Sequence, residues 1–498
     1  MKGIFGAEDF LKGDKPQPVY KVIENRGIDP LSAFESIERG TYSFLLESIK
    51  RSRKTGRYSF LGTDPYLIFK SKGNLIEIER NGSRSVRFGN PITTLKGIFE
   101  DFHLPRIDGL PPFFGGAVGF FSYELVHFFE TLPKGNIDDL DIPDIFLIFS
   151  DTVIAFDHLD NTIMIIFTPQ KERFLSGERK RYLNEAIEKI ETAERRLVSS
   201  GAEIRPARMN VRRKGPIPPV PNMTKAGYME MVKRCKEYIA AGDIFQANLS
   251  QRFSIDIESI DPIEIYRILR KINPSPFAAY LVMDDVRIVS SSPERLVSLE
   301  GRRVETRPIA GTRPRGKDTP EDMILRQELI TDEKERAEHI MLIDLERNDI
   351  GRVCKYGSVA VDELMAIEYY SHVIHIVSNI VGELQDNKDY LDLIRAVFPG
   401  GTITGVPKVR CMEIIDELEP VVRGPYTGSA GYISLAGDMD LNIIIRSFII
   451  KNSKAYLQIG AGIVADSDPE REYYETIYKS RALIKTIEVI SESECISS

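Results

Sequence analysis

Strand-like and helix-like runs are mixed along this chain without the regular βαβ alternation that a parallel sheet requires. The β-rich runs at residues 66–69 and 144–156 are set off by Gly and Asn turns, the punctuation of antiparallel neighbours. Further strand-like runs fall at 278–283, 286–290, 296–299, 431–434, 442–450 and 455–460. Helical spacing marks 171–197, 228–241 closed by Gly242, 262–272, and the charge-dense stretches 321–346 and 470–491. The expected fold is therefore α+β, with large antiparallel sheets packed against helices.

Residues 199–224 are rich in Pro, Arg and Gly and have no hydrophobic period, so they read as a linker. It divides the chain into an N-terminal domain (1–198), a larger domain (225–488) and a short tail (489–498). A length of 498 residues allows a sizeable core. The net charge of −8 comes from interleaved signs, whereas a nucleic-acid binder would concentrate basic charge on one surface. No apolar run approaches the ~18 residues of a membrane span, and the N-terminal residues lack the apolar centre of a signal peptide, so a cytoplasmic protein is expected. Cys235, Cys354, Cys411 and Cys495 lie far apart without metal-ligand spacing, as inert thiols in a reducing compartment do.

Several residues carry chemistry. The run Arg307-Pro308-Ile309-Ala310-Gly311-Thr312-Arg313-Pro314-Arg315-Gly316 sets guanidinium forks beside a Gly-Thr turn whose bare amides admit a carboxylate; a solvated basic loop is the other reading. Glu335 and Glu338 are three apart on one expected helix, Glu472 and Glu475 on another, so each pair shares a face. Such carboxylates suit either a hard cation or a solvated surface. Arg446, on an apolar run, needs an anionic partner, whether a substrate or a structural acid. Glu294 follows Pro293 at the end of a strand-like run, and its proton affinity would rise in a partly apolar pocket. Within Ser371-His372-Val373-Ile374-His375-Ile376-Val377-Ser378, apolar neighbours imply that one imidazole is buried, as a core residue or as a base.

With the blocks Gly242-Asp243-Ile244-Phe245-Gln246, Ser292-Pro293-Glu294-Arg295-Leu296, Arg347-Asn348-Asp349, residues 401–408 and Ser467-Asp468-Pro469, these residues make a pattern. The chain resembles the chorismate-utilising enzymes, specifically the large subunits (component I) of anthranilate synthase and aminodeoxychorismate synthase. The similarity extends from about residue 20 to 485 and is densest over 242–479. It implies a chorismate-binding catalytic domain at 225–488 and a Mg2+ site on Glu335, Glu338, Glu472 and Glu475, with Glu338 and Glu475 the direct ligands. It implies that Arg446, Tyr426 and the Gly462 amide bind the enolpyruvyl carboxylate, with Gly311, Thr312, Thr402 and Lys479 completing the substrate contacts. By the same resemblance Glu294 protonates the departing C4 hydroxyl, and His375 rather than His372 takes the ring proton as pyruvate leaves.

Two absences bear on the product. Relatives that form isochorismate carry a water-activating lysine where this chain has Gln246, and the aminodeoxychorismate enzymes place a nucleophilic lysine where it has Ala310. Both point to ammonia attacking C2 and to anthranilate. No Cys-His-Glu glutaminase pattern is evident, so ammonia is expected from solution or from a separate amidotransferase subunit. Against Ala310, the segments Asp344-Leu345-Glu346, Gly400-Gly401-Thr402 and Met439-Asp440-Leu441 look more like the aminodeoxychorismate branch. A silent relative that binds chorismate or tryptophan without turnover is a third reading. Finally, Leu45-Leu46-Glu47-Ser48 and Asn273-Pro274-Ser275-Pro276-Phe277 resemble the two halves of a tryptophan feedback site, with Tyr432 a further wall and Phe277-Ala278 a departure from the usual Tyr-Met.

Overall fold

Strands that are apolar at all or all but one position, such as Gly116–Phe121 and Ile145–Ser150, are buried throughout, whereas the polar strand Ser83–Phe88 is exposed throughout and ends its sheet. This computed structural model describes residues 3–49, 56–133, 135–200, 217–369 and 373–496. Within them the strands form two antiparallel sheets, of 13 and 12 strands, so the α+β architecture holds.

Each sheet is half early chain and half late chain. In the first, the strands up to residue 167 end at Tyr42–Glu47, which pairs with Phe277–Met283, and from there the order continues into Val286–Ser292, Ser447–Lys451, Lys454–Ile463 and Gln246–Asp256. In the second, Gly116–Phe121 pairs with Ser429–Ser434 in the same way. Period-two alternation then sorts the side chains: Phe44, Phe60 and Ile288 face the second sheet in a shared core, while Leu45, Leu61 and Val289 face outward. That outer face is covered by helices Pro30–Ile37, Arg179–Ser200, Pro262–Ile272 and Pro469–Ile496. Cys235, Cys354 and Cys411 are buried and unbonded.

Two expected elements are interrupted. The stretch 321–346 is two helices, Thr319–Thr331 and Glu333–Gly351, because the Asp332 side chain accepts the amides of Lys334 and Glu335 and caps a new start. The run 442–450 is not one strand. Met439–Ile443 belongs to the second sheet and Ser447–Lys451 to the first, and the crossing between them bends at Arg446, which has φ 53°. Of the expected linker, residues 201–216 lie outside the described residues.

Candidate active site

Glu294 sits where Val286–Ser292 hands over to Arg295–Glu300, that is, where the chain passes from the first sheet to the second. It is 6% exposed, and burial pushes its carboxyl up to about 7, with Thr402 and the Ile309 amide drawing it partly back. Oε1 of Glu294 and Oγ1 of Thr402 both lack a partner of proper geometry, so the two lie side by side without closing a hydrogen bond. A carboxyl of this kind holds a proton near neutrality and has a free oxygen to deliver it.

Beside it, strand Ile309–Pro314 carries a β-bulge at Gly311, where the register to Val373–Glu383 shifts between Ala310 and Thr312. Gly311 has φ 65°, and a Cβ there would lie 3.0 Å from Leu329 and 3.2 Å from Glu335 Oε2. The bulge turns its carbonyl to His375, whose Nδ1 is 3.3 Å away, and Thr312 is the register partner of His375. His372 lies outside the described residues.

The opposite wall is basic. Arg446 donates to the Lys479 carbonyl and has no ion-pair partner among the described residues; burial lowers its proton affinity, with Tyr426 and Glu475 opposing. The outcome for Arg446 is therefore a guanidinium at a sheet crossing, not on a continuous strand, and a carboxylate ligand would offset its desolvation. Tyr426 lies against it and the Gly460 backbone. Lys479 Nζ reaches the Gly460 carbonyl (3.2 Å) and Glu475 (2.6 Å). A Cβ at Gly462 would come within 2.6 Å of Gln246 Nε2, so a side chain there would push the Gln246 amide aside.

The four glutamates lie around Lys479 and Arg313 as two pairs, Glu335 with Glu338 and Glu472 with Glu475. Glu338 accepts from Gln246 Nε2 (3.0 Å), and burial raises its proton affinity, as does nearby Glu335. Burial also raises Glu472, whose Oε2 has no hydrogen-bond partner; Glu475 adds to the rise, and Lys479 and Lys334 act on both Glu338 and Glu472. Glu335 is held by Arg313 (2.9 Å) and Glu475 by Lys479. With those side chains turned to their cations, no three His, Cys, Asp or Glu residues among the described ones are gathered closely enough to hold a metal. The donors are nevertheless all hard oxygens, and under-neutralised Glu338 and Glu472 fit a divalent cation such as Mg2+.

A separate cavity of about 790 Å3 opens between the sheets at their shared seam, lined by Glu47, Ser48, Pro276, Phe277, Tyr432 and Arg295 among others. Pro274 does not line it. Glu47 is already engaged by Arg270 and by the Tyr266 hydroxyl (2.8 Å), and Ser48 donates to the Pro276 carbonyl (3.3 Å). Two further residues, neither of them a candidate site residue in the sequence, lie close to the site. Arg423, buried against Glu419, donates to the carbonyls of Asn248 and Ile403 and so ties together segments on either side of the site. Glu346 lies buried behind Glu294. Its sequence signal was helical phase: 335, 338, 342, 346 and 349 fall on one stripe.

The family described as chorismate binding enzyme matches residues 49–485. Anthranilate synthase component 1 of Acetivibrio thermocellus is 46% identical over 467 residues, 93% of each chain. Aminodeoxychorismate synthase component 1 of Bacillus subtilis (strain 168) is 42% identical over 469 residues, 93% of this chain and 95% of that one. A crystal structure of anthranilate synthase component I from Streptococcus pneumoniae TIGR4 superposes with a TM-score of 0.74 at 33% identity, over 93% of this chain and 99% of the other.

Proposed function

This chain belongs to the chorismate binding enzyme family, and on that premise we propose that it is the large subunit of an anthranilate synthase, converting chorismate and ammonia to anthranilate, pyruvate and water. The observation that carries the product is Ala310. It is a buried methyl directly before the Gly311 bulge, with no nucleophile to occupy C2 and redirect nitrogen to C4. Gln246, an amide bonded to Glu338, offers no base to activate water, so ammonia is the nucleophile left. Ammonia adds to C2 while the ring double bonds shift and the C4 hydroxyl departs as water with the proton of Glu294. His375 then takes the C2 proton, the C3–O bond breaks, and pyruvate leaves the aromatised ring.

Arg446, Tyr426 and the Gly462 amide orient the enolpyruvyl carboxylate, and Gly311, Thr312, Thr402 and Lys479 complete the contacts to the substrate. Glu335, Glu338, Glu472 and Glu475 would hold Mg2+, which when bound neutralises the other carboxylate of chorismate and fixes its orientation. A separate glutamine amidotransferase subunit supplies ammonia, and buried, unbonded cysteines suit the reducing cytoplasm where we place the enzyme.

With chorismate, Mg2+ and ammonium at mildly alkaline pH, the isolated chain is expected to release fluorescent anthranilate and equimolar pyruvate. Chromatography showing 4-amino-4-deoxychorismate instead would transfer the chain to the branch that its segment around Glu346 resembles.

The cavity at the sheet seam is proposed as a tryptophan effector site, supported by its size and by Glu47, Ser48, Pro276, Phe277 and Tyr432 in its lining. Because Glu47 is already paired with Arg270, binding is expected to be weak, and Ser48→Phe, which replaces a hydroxyl on the cavity wall beside Pro276 with a ring, weakens it at least about tenfold by calorimetry. No heat of tryptophan binding to the wild type would remove the effector reading and leave the catalytic one intact.

A further inference from the structure

Glu346 takes no part in the reaction just described, yet it is buried on the catalytic-site stripe of helix Glu333–Gly351. Its Oε2 is hydrogen-bonded to Thr306 Oγ1, and that same hydroxyl lies 3.0 Å from the Leu296 carbonyl. A hydroxyl has one proton, and a carbonyl only accepts. When Thr306 donates to Leu296, the proton between Thr306 and Glu346 has to come from the carboxyl. The nearby cation supplies none, because the three protons of Lys408 Nζ go to Asp349, to the Val397 carbonyl (3.0 Å) and to the Pro399 carbonyl (2.9 Å). The other charged groups facing Glu346 are Glu294 and Asp349, both acids; burial first, then these two, push its carboxyl well above the usual range, against Thr306 and Lys408. An ionised Glu346 would be a buried charge with one neutral hydroxyl donor and a lysine, Lys408, whose own protons are all given to other acceptors.

We propose that Glu346 is a neutral carboxylic-acid donor that positions Glu294, and that the enzyme works only while this group stays uncharged. Through Thr306 it pins the strand at Leu296, two residues beyond Glu294, to the helix that carries the metal-site glutamates. Without charge, it leaves Glu294 free to give up its proton; ionised, it would hold that proton in place by repulsion. This rests on the reading of Glu294 as proton donor to the C4 hydroxyl.

The test uses Glu346→Gln, an uncharged donor, and Glu346→Leu, which cannot donate, with thermal melts to confirm that each folds. At pH about 9, where Glu294 is largely ionised, the infrared spectrum of the wild type is expected to keep the C=O stretch of a protonated carboxyl, and Glu346→Gln to lack it. Ammonia-dependent turnover in Glu346→Gln stays within about threefold of wild type with an unmoved pH midpoint, while Glu346→Leu loses about tenfold or more in kcat at unchanged KM. No protonated-carboxyl band in the wild type, or a midpoint that falls by about one unit in Glu346→Gln, means that Glu346 is charged and overturns the proposal. If Glu294→Gln retains turnover while the Glu346 band persists, it is the assignment of Glu294 that fails. The infrared result then still shows a neutral Glu346.

Discussion

Glu294→Gln lowers kcat of the ammonia-dependent reaction by about 10³-fold and leaves KM for chorismate within about threefold. The amide keeps the shape and polarity of the side chain but has no acidic proton for the departing hydroxyl. In the wild type, the rate expressed against free ammonia is expected to fall about tenfold per unit above pH about 7, because the carboxyl, raised to about 7 by burial, acts only in its acid form. The variant loses that break. An independent readout is stability. In the unfolded chain Glu294 ionises near 4.5, in the folded one near 7, so folding stability falls as pH rises through that window, by about 3 kcal/mol in all, and stays lowered above it. Glu294→Gln therefore melts higher than wild type at pH about 8 and not at pH about 4. Unaltered turnover in Glu294→Gln would reduce this residue to a buried acid without a role.

Glu338→Gln and Glu475→Gln each lower Mg2+-dependent turnover at least about 10²-fold, since a neutral amide is a poorer ligand for a hard cation and leaves one charge of the dianionic substrate unopposed. Calorimetric titration with Mg2+ separates this from a defect in chemistry: the binding heat should shrink with the rate. Glu475 also pairs with Lys479, which contacts Gly460, so Glu475→Gln is expected to raise KM more than Glu338→Gln does. Wild-type rates across the Mg2+ titration in either variant would return both residues to the solvated surface.

Residue chemistry was readable in the sequence where a type is rare in its setting. Glu294 after a proline and His375 between apolar neighbours stand out at once, and the structure puts both beside the Gly311 bulge strand. Which way a side chain turns was not readable. The spacing of Glu335 with Glu338 and of Glu472 with Glu475 gives a shared face, but not that Glu335 answers Arg313 and Glu475 answers Lys479. The run 442–450 is apolar at six of nine positions, and local pattern offers no sign that it leaves one sheet at Ile443 and joins the other at Ser447. That bend is imposed by tertiary structure, and it is what delivers Arg446 to the site. Glu346 looked like a branch marker because its proton state depends on Thr306 and Lys408, both about 40 residues or more away and brought near only by folding.

The two seams, Tyr42–Glu47 against Phe277–Met283 and Gly116–Phe121 against Ser429–Ser434, impose a timetable on the growing polypeptide. Early strands emerge from the ribosome with one edge of each half-sheet open, and the segment that closes the second seam is made some 300 residues later. At roughly 5–20 residues per second this leaves apolar edges unpaired for on the order of tens of seconds. Those edges are templates for wrong pairing, and unlike the polar rim at Ser83–Phe88 they carry few charges to discourage it. Slower translation or lower temperature during expression lengthens the exposure rather than relieving it, so soluble yield should respond to chaperone supply more than to either.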